Sequence, residues 1–145
     1  MVSTGSFDTH AKQTETDTTT GTHAKLLQRV SEAIGAFMSD LQFLQIQDRV
    51  MGMTFSEFGR RIKSNASGGT DHGVAAPVFY FGNNVKSAVI GSNPVIPEKA
   101  TVNDNVPMQH DFRSVYASVL QNWLNMPAQE VQQILLGDFQ LLPIV

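Results

Sequence analysis

The sequence predicts an α/β fold, and three observations support this reading. A long helical stripe opens the patterned part of the chain, short apolar runs of strand character follow, and two further helical stripes close it. Two or three strands make a poor sheet for a domain covered on both faces. The chain is therefore expected to be an incomplete portion of a larger sheet covered by helices.

Residues 1–22 are rich in Thr, Asp and Gly without periodicity and read as a loop, in which only "GSFDTH" stands out. Leu26, Leu27, Val30, Ala33, Ile34, Phe37, Met38 and Leu41 then recur at steps of three and four, predicting a helix over 23–44 with Thr22 as its cap. The run "RVMGMTF" predicts a buried strand, and a mobile glycine-rich loop follows from Ser64 to Gly73. "APVFYFG" predicts a second strand and "KSAVIG" a third, at an edge. Residues 91–110 hold three prolines and read as a long irregular connection. Asp111 sits where a helix cap belongs, ahead of a stripe through Phe112, Val115, Val119, Leu120 and Trp123. Pro127 and Gly137 frame a last short helix, and the apolar tail "FQLLPIV" is expected to pack down.

Composition excludes several classes of function. The 145 residues, 41% hydrophobic and 16% charged, have the balance of one globular domain or a piece of one. A net charge of -3 without a polybasic tract predicts no nucleic-acid partner. No window reaches the roughly 18 apolar residues of a membrane helix, and the N-terminus lacks the pattern of an export signal. Without cysteine there is no disulfide, thiolate site or thiol nucleophile, so a metal would rest on His, carboxylates, amides or water.

Two of the four histidines stand beside carboxylates, in Asp8-Thr9-His10 and Asp71-His72. Mixed carboxylate and imidazole donors suit Zn, Mn or Fe better than Ca or Mg, which prefer oxygen alone. Taken singly, the commoner reading of either pair is a turn residue beside a solvated ring. Glu57 directly follows an apolar strand, where ligands bind in open α/β sheets; equally, it reads as a rim partner of Arg60 or Arg61. The two arginines suit a clamp for an anionic group or a solvated surface. His23 reads as a solvated first-turn residue or a third ligand, and His110 as local structure. No phosphate loop, dinucleotide fingerprint or nucleophile elbow occurs.

"GSFDTH", "RVMGMTFSEFGRR", "NASGGTDHG", "APVFYFG" and "DFRSVYASVLQNWL" occur in the order seen in a large bacterial family, domain of unknown function 1501. The chain resembles the C-terminal third of a full member over nearly its whole length. Members of that family are usually exported by the twin-arginine route and are grouped with the alkaline phosphatase and sulfatase superfamily. The resemblance implies one alkaline-phosphatase-like C-terminal fragment over 1–145 and a metal site built from Asp8, His10, Glu57, Asp71 and His72. Asp8, His10 and His72 would form a set with one open position, Asp71 binding or orienting a ring. Phe58 falls where the superfamily has a ligand His, so the chain departs there from the pattern for the second metal, which is then lost or takes its ligand from another residue. The implied cofactor is a divalent metal, Zn first, with Mn or Ca as alternatives. The implied substrate is a small anionic phosphate or sulfate ester, and the nucleophile-bearing part lies outside this chain. Two alternatives stand beside this reading: a non-catalytic exported binding or scaffold module, and an inactive truncated product that self-associates through exposed strand surface.

Overall fold

The computed structural model describes residues 1–145 and contains three α-helices and two small β-ribbons. Helix α1, Thr22–Phe43, turns an inner seam of Leu26, Val30, Ile34, Met38 and Leu41 toward the protein. Leu27, Ala33 and Phe37 lie on its exposed flank, so the predicted stripe is wider than the face that packs. The cap is Gly21 and not Thr22, which already lies inside the helix; the His23 N–H reaches back to the Gln13 carbonyl at 3.0 Å.

Strands β1, Gly52–Met53, and β4, Tyr80–Phe81, pair antiparallel in the register Gly52↔Phe81 and Met53↔Tyr80. Between them lie β2, Gly59–Arg60, and β3, His72–Gly73, also antiparallel, in the register Gly59↔Gly73 and Arg60↔His72. Two of the predicted strands fall on β1 and β4, each cut to two residues, whereas the ribbon of β2 and β3 is not among the predicted elements and His72–Gly73 lies in the segment expected as a loop. One cause is local. Arg49 ends a 3-10 turn, and at the other end of β1 the Thr54 hydroxyl, in place of a backbone carbonyl, accepts the Phe79 N–H at 3.0 Å. No continuous sheet covered on two faces forms.

The third strand expected over 86–91 is likewise absent. The Lys86 N–H instead donates to the Ile144 carbonyl at 2.9 Å, and the side chain of Gln109 holds Ser92. The glycine loop expected to be mobile is hydrogen-bonded along its length to residues 9–13. Lys12 N–H donates to Ser67 O at 3.1 Å, Gln13 N–H to Gly68 O at 2.9 Å and Thr70 N–H to Thr9 O at 3.3 Å.

Residues 91–110 hold no helix or strand and lead to α2, Phe112–Ser118, capped by Asp111, whose carboxylate accepts the Arg113 N–H at 2.8 Å. The helix widens into a π turn over Val119–Trp123. Helix α3, Ala128–Leu135, follows Pro127; its left-handed end residue is Leu136, one position before the expected Gly137. The tail does pack down. Leu142 and Ile144 join Val115 in the main apolar cluster, against Met51, Met53, Tyr80, Ile90 and Tyr116. Fully buried Ser118 donates to Ser114 O at 2.6 Å and accepts the Leu142 N–H at 2.7 Å, which anchors the tail to α2.

Candidate metal centre

Three side chains meet above the ribbon of β2 and β3. His72 stands on β3, while Asp8 and His10 come from the N-terminal segment that the glycine loop holds in place. That segment is bounded by two left-handed non-glycine residues, Ser6 at φ 75° and Lys12 at φ 49°. Such conformations persist only where surrounding contacts over-determine them. Gly69 supplies close approach: a Cβ there would stand 2.2 Å from the His10 carbonyl carbon.

His72 Nε2 lies 2.8 Å from Asp8 Oδ1, His10 Nε2 lies 3.0 Å from the same oxygen, and the two Nε2 atoms are 3.1 Å apart. On a tetrahedral zinc with bonds near 2.0–2.1 Å, donor atoms stand about 3.3 Å from one another. The observed triangle therefore reaches that geometry by a shift of a few tenths of an ångström. All three side chains are about half exposed, which leaves the open side of the triangle to solvent.

Proton counting makes the same point. His10 Nδ1 lies 3.2 Å from Asp71 Oδ1, so in the neutral ring the proton sits on Nδ1 and the Nε2 lone pair points at Asp8 and His72. Two acceptors then converge on a space where at most one His72 proton is available. A metal ion there, or a proton on His10 Nε2, satisfies the contact, and the chemistry of the donor set fits a divalent metal.

The surroundings hold each donor in its orientation. Phe58 stacks on the His72 ring at 3.6 Å between centroids and 10° between planes, and the Arg60 guanidinium lies 5.1 Å from the Phe58 centroid. Arg60 donates to Asp8 Oδ1 at 3.1 Å, to Thr70 O at 2.7 Å and to Phe7 O. The hydrogen bond from His72, together with the charges of His10 and Arg60, keeps the Asp8 carboxyl below its ordinary range. Asp71 is held low first by Asn65 and then by His10.

Of the residues singled out in the sequence, Asp8, His10 and His72 form the donor set, and Asp71 stands behind His10 as its carboxylate partner. Glu57 is exposed, makes no ion pair and no side-chain hydrogen bond, and is not part of the set. Neither arginine pairs with it. Arg61 donates to His72 O, Val102 O and Asn103 Oδ1 at 3.0–3.2 Å, so both arginines are committed to internal acceptors and neither stands free to clamp an anion. His23 lies edge-on to Phe7 at 6.2 Å, away from the donor set. Sequence reasoning missed Asn65 and the stacking role of Phe58. The signal for Asn65 is the run "NASGG", because an Asn ahead of Ser and Gly favours a turn in which its side chain accepts a backbone N–H two residues on.

No curated protein and no solved structure is found to match the chain. The family described as "Protein of unknown function (DUF1501)" matches it over residues 1–135. That match covers both ribbons, all three donors and the three helices, and the chain belongs to the DUF1501 family.

Proposed function

We propose that this chain carries metal-holding residues of a divalent-metal-dependent hydrolase of the alkaline phosphatase and sulfatase superfamily, acting on a small phosphate or sulfate ester. The observation that carries the reading is the convergence of Asp8 Oδ1, His10 Nε2 and His72 Nε2 at 2.8–3.1 Å beside an open face. Zn is the preferred ion because two of the three donors are imidazole nitrogens. A metal held there supplies Lewis-acid polarisation of an ester oxygen.

The chain's own residues prepare the place. Asp71 keeps the proton of His10 on Nδ1, Phe58 fixes the plane of the His72 ring, and Arg60 offsets part of the charge on Asp8. Both arginines are engaged by acceptors of the chain itself and give the anionic group no free clamp. Glu57 has no assigned step. Export of the parent protein by the twin-arginine route belongs to the same proposal.

A second reading, a binding or scaffold module without turnover, is favoured by one observation. Three hydroxyls of the segments that carry the site are engaged or enclosed: Ser56 donates to Phe58 O at 2.8 Å, Thr70 to Gln13 at 2.7 Å, and the Thr9 hydroxyl is buried. None is presented as a nucleophile. Self-association belongs to the reading of a truncated product, and the exposure of Phe55, Val74, Val78 and Phe79 on or beside the ribbons supports it.

Titration of the metal-free protein with Zn and Mn, followed by metal analysis of the desalted protein, tests both readings. We expect about one ion per chain, lost in His72→Ala. Absence of bound metal in the folded protein overturns the metal reading. Aryl phosphate and sulfate turnover that chelation abolishes, measured on the longest parent protein, rejects the module without activity.

A further inference from the structure

Asn65 is not a member of the donor set, yet its side chain uses every hydrogen-bonding position it has. Nδ2 donates to the His10 carbonyl at 2.9 Å and to Asp71 Oδ1 at 3.0 Å. Oδ1 accepts the backbone N–H groups of Ser67 and Gly69 at 2.9 and 3.2 Å. An amide offers two donors and two acceptor lone pairs, so this one is saturated, and the two N–H partners fix which end is oxygen. Its acceptor half closes the glycine loop while its donor half faces the site.

The Asp71 oxygen that receives Asn65 is the one lying 3.2 Å from His10 Nδ1. An ionised carboxylate only accepts, so the nitrogen facing it carries the proton, and in the neutral ring Nε2 is left with its lone pair. That lone pair points into the triangle with Asp8 and His72. The Asp71 side chain is 46% exposed, and without Asn65 nothing but the ring itself keeps its carboxylate from turning into water.

We propose that Asn65 is the residue that sets the tautomer of His10, by fixing Asp71 against Nδ1–H so that Nε2 is offered to a divalent cation. The purpose of this arrangement rests on the metal reading, but the tautomer is a property of the metal-free protein. A sequence motif that looks like a simple turn thereby acts through two intermediaries on a donor atom.

The test is nitrogen-15 NMR of the histidine rings in the metal-free protein at about pH 8, where an ordinary His is neutral. Asn65→Asp is the informative variant: its carboxylate still accepts from Ser67 and Gly69, but it cannot donate to Asp71 and repels it. We expect His10 to be Nδ1–H in the native protein and Nε2–H in the variant, with Zn affinity falling about 10- to 100-fold, as for other partners that orient a ligand His. His10 found as Nε2–H in the native protein overturns the proposal, whether or not the variant folds. An unchanged tautomer in a folded Asn65→Asp protein also overturns it. Failure of the native protein to bind Zn would remove the metal reading, and the native tautomer would still decide the role of Asn65.

Discussion

The two ends of this molecule are held together by different forces. All seven buried apolar residues lie outside the donor site, in α1, α2, α3 and the tail, with Val115, Leu142 and Ile144 at the centre. Around the donors, the buried residues are Thr9, Gly59 and Gly69, none of them a large apolar side chain, and the two glycines are enclosed because backbones approach closely. The site is thus positioned by hydrogen bonds and glycine contacts, while the remainder is stabilised by apolar burial. A polar scaffold fixes donor directions better than it resists unfolding, so the site should be the more fragile region and the core the more stable one.

Gly69→Ala tests that division most severely. A Cβ at Gly69 would stand 2.2 Å from the His10 carbonyl carbon and 2.4 Å from its oxygen, atoms that cannot move without displacing His10. Separating the loop from residues 9–13 costs the site about 3 kcal/mol, near the upper end of ordinary overpacking. We expect Zn binding to fall at least 100-fold. The fluorescence of Trp123, the single tryptophan and a member of the π turn, should still report a native-like core. If the Trp123 transition collapses together with metal binding, the two regions form one cooperative unit and the contrast is wrong.

Ser118→Ala makes the opposite cut. It leaves the buried Leu142 N–H without its acceptor, a loss worth about 1–3 kcal/mol, and frees the tail from α2. The Trp123 thermal transition should shift down by several degrees. Zn affinity should stay within about twofold, because no bond in the donor site involves Ser118 or the tail. A parallel loss of metal affinity would show that the tail supports the donor site as well.

The same contrast explains what could be read from the sequence. Periodicity located α1 and the cap at Asp111, because both follow from local backbone chemistry and a stripe of apolar residues. It could not say that Leu27 faces solvent while Leu26 and Leu41 do not, since that depends on what packs against the helix. "RVMGMTF" and "APVFYFG" were legible as strand-like, but not as two-residue segments of a ribbon whose ladder stops at the Thr54 side chain. "KSAVIG" has strand character and no strand beside it, because the tail occupies Lys86. At the site, Asp8, His10 and His72 were legible through the family pattern, whereas Glu57 was placed by analogy of position and stands apart. Asn65 and Phe58 were not found because their roles are contacts to residues far along the chain or across the ribbon.

The smallest effect is expected at Asp111, which belongs to the core region but is held by charge. Its carboxylate accepts from Arg113 Nε at 3.0 Å and Nη2 at 2.7 Å as well as from the Arg113 N–H, and these bonds lower its pKa to about 2 from the usual 3.8. A depressed carboxyl pKa contributes stability above the unfolded value, and that contribution disappears as pH falls through the folded one. In Asp111→Asn the amide oxygen still caps the helix, so the variant keeps the cap and removes the charge together with the acceptor of Arg113 Nη2. Urea midpoints should place the variant slightly below the native protein at neutral pH, with the gap closing between about pH 4 and pH 2. Because the pair is solvent-accessible, about 1 M salt should shrink the gap as well. A gap that survives both acid and salt would mean that the hydrogen bond from Arg113 Nη2 to Oδ2, and not the charge, holds this end of α2.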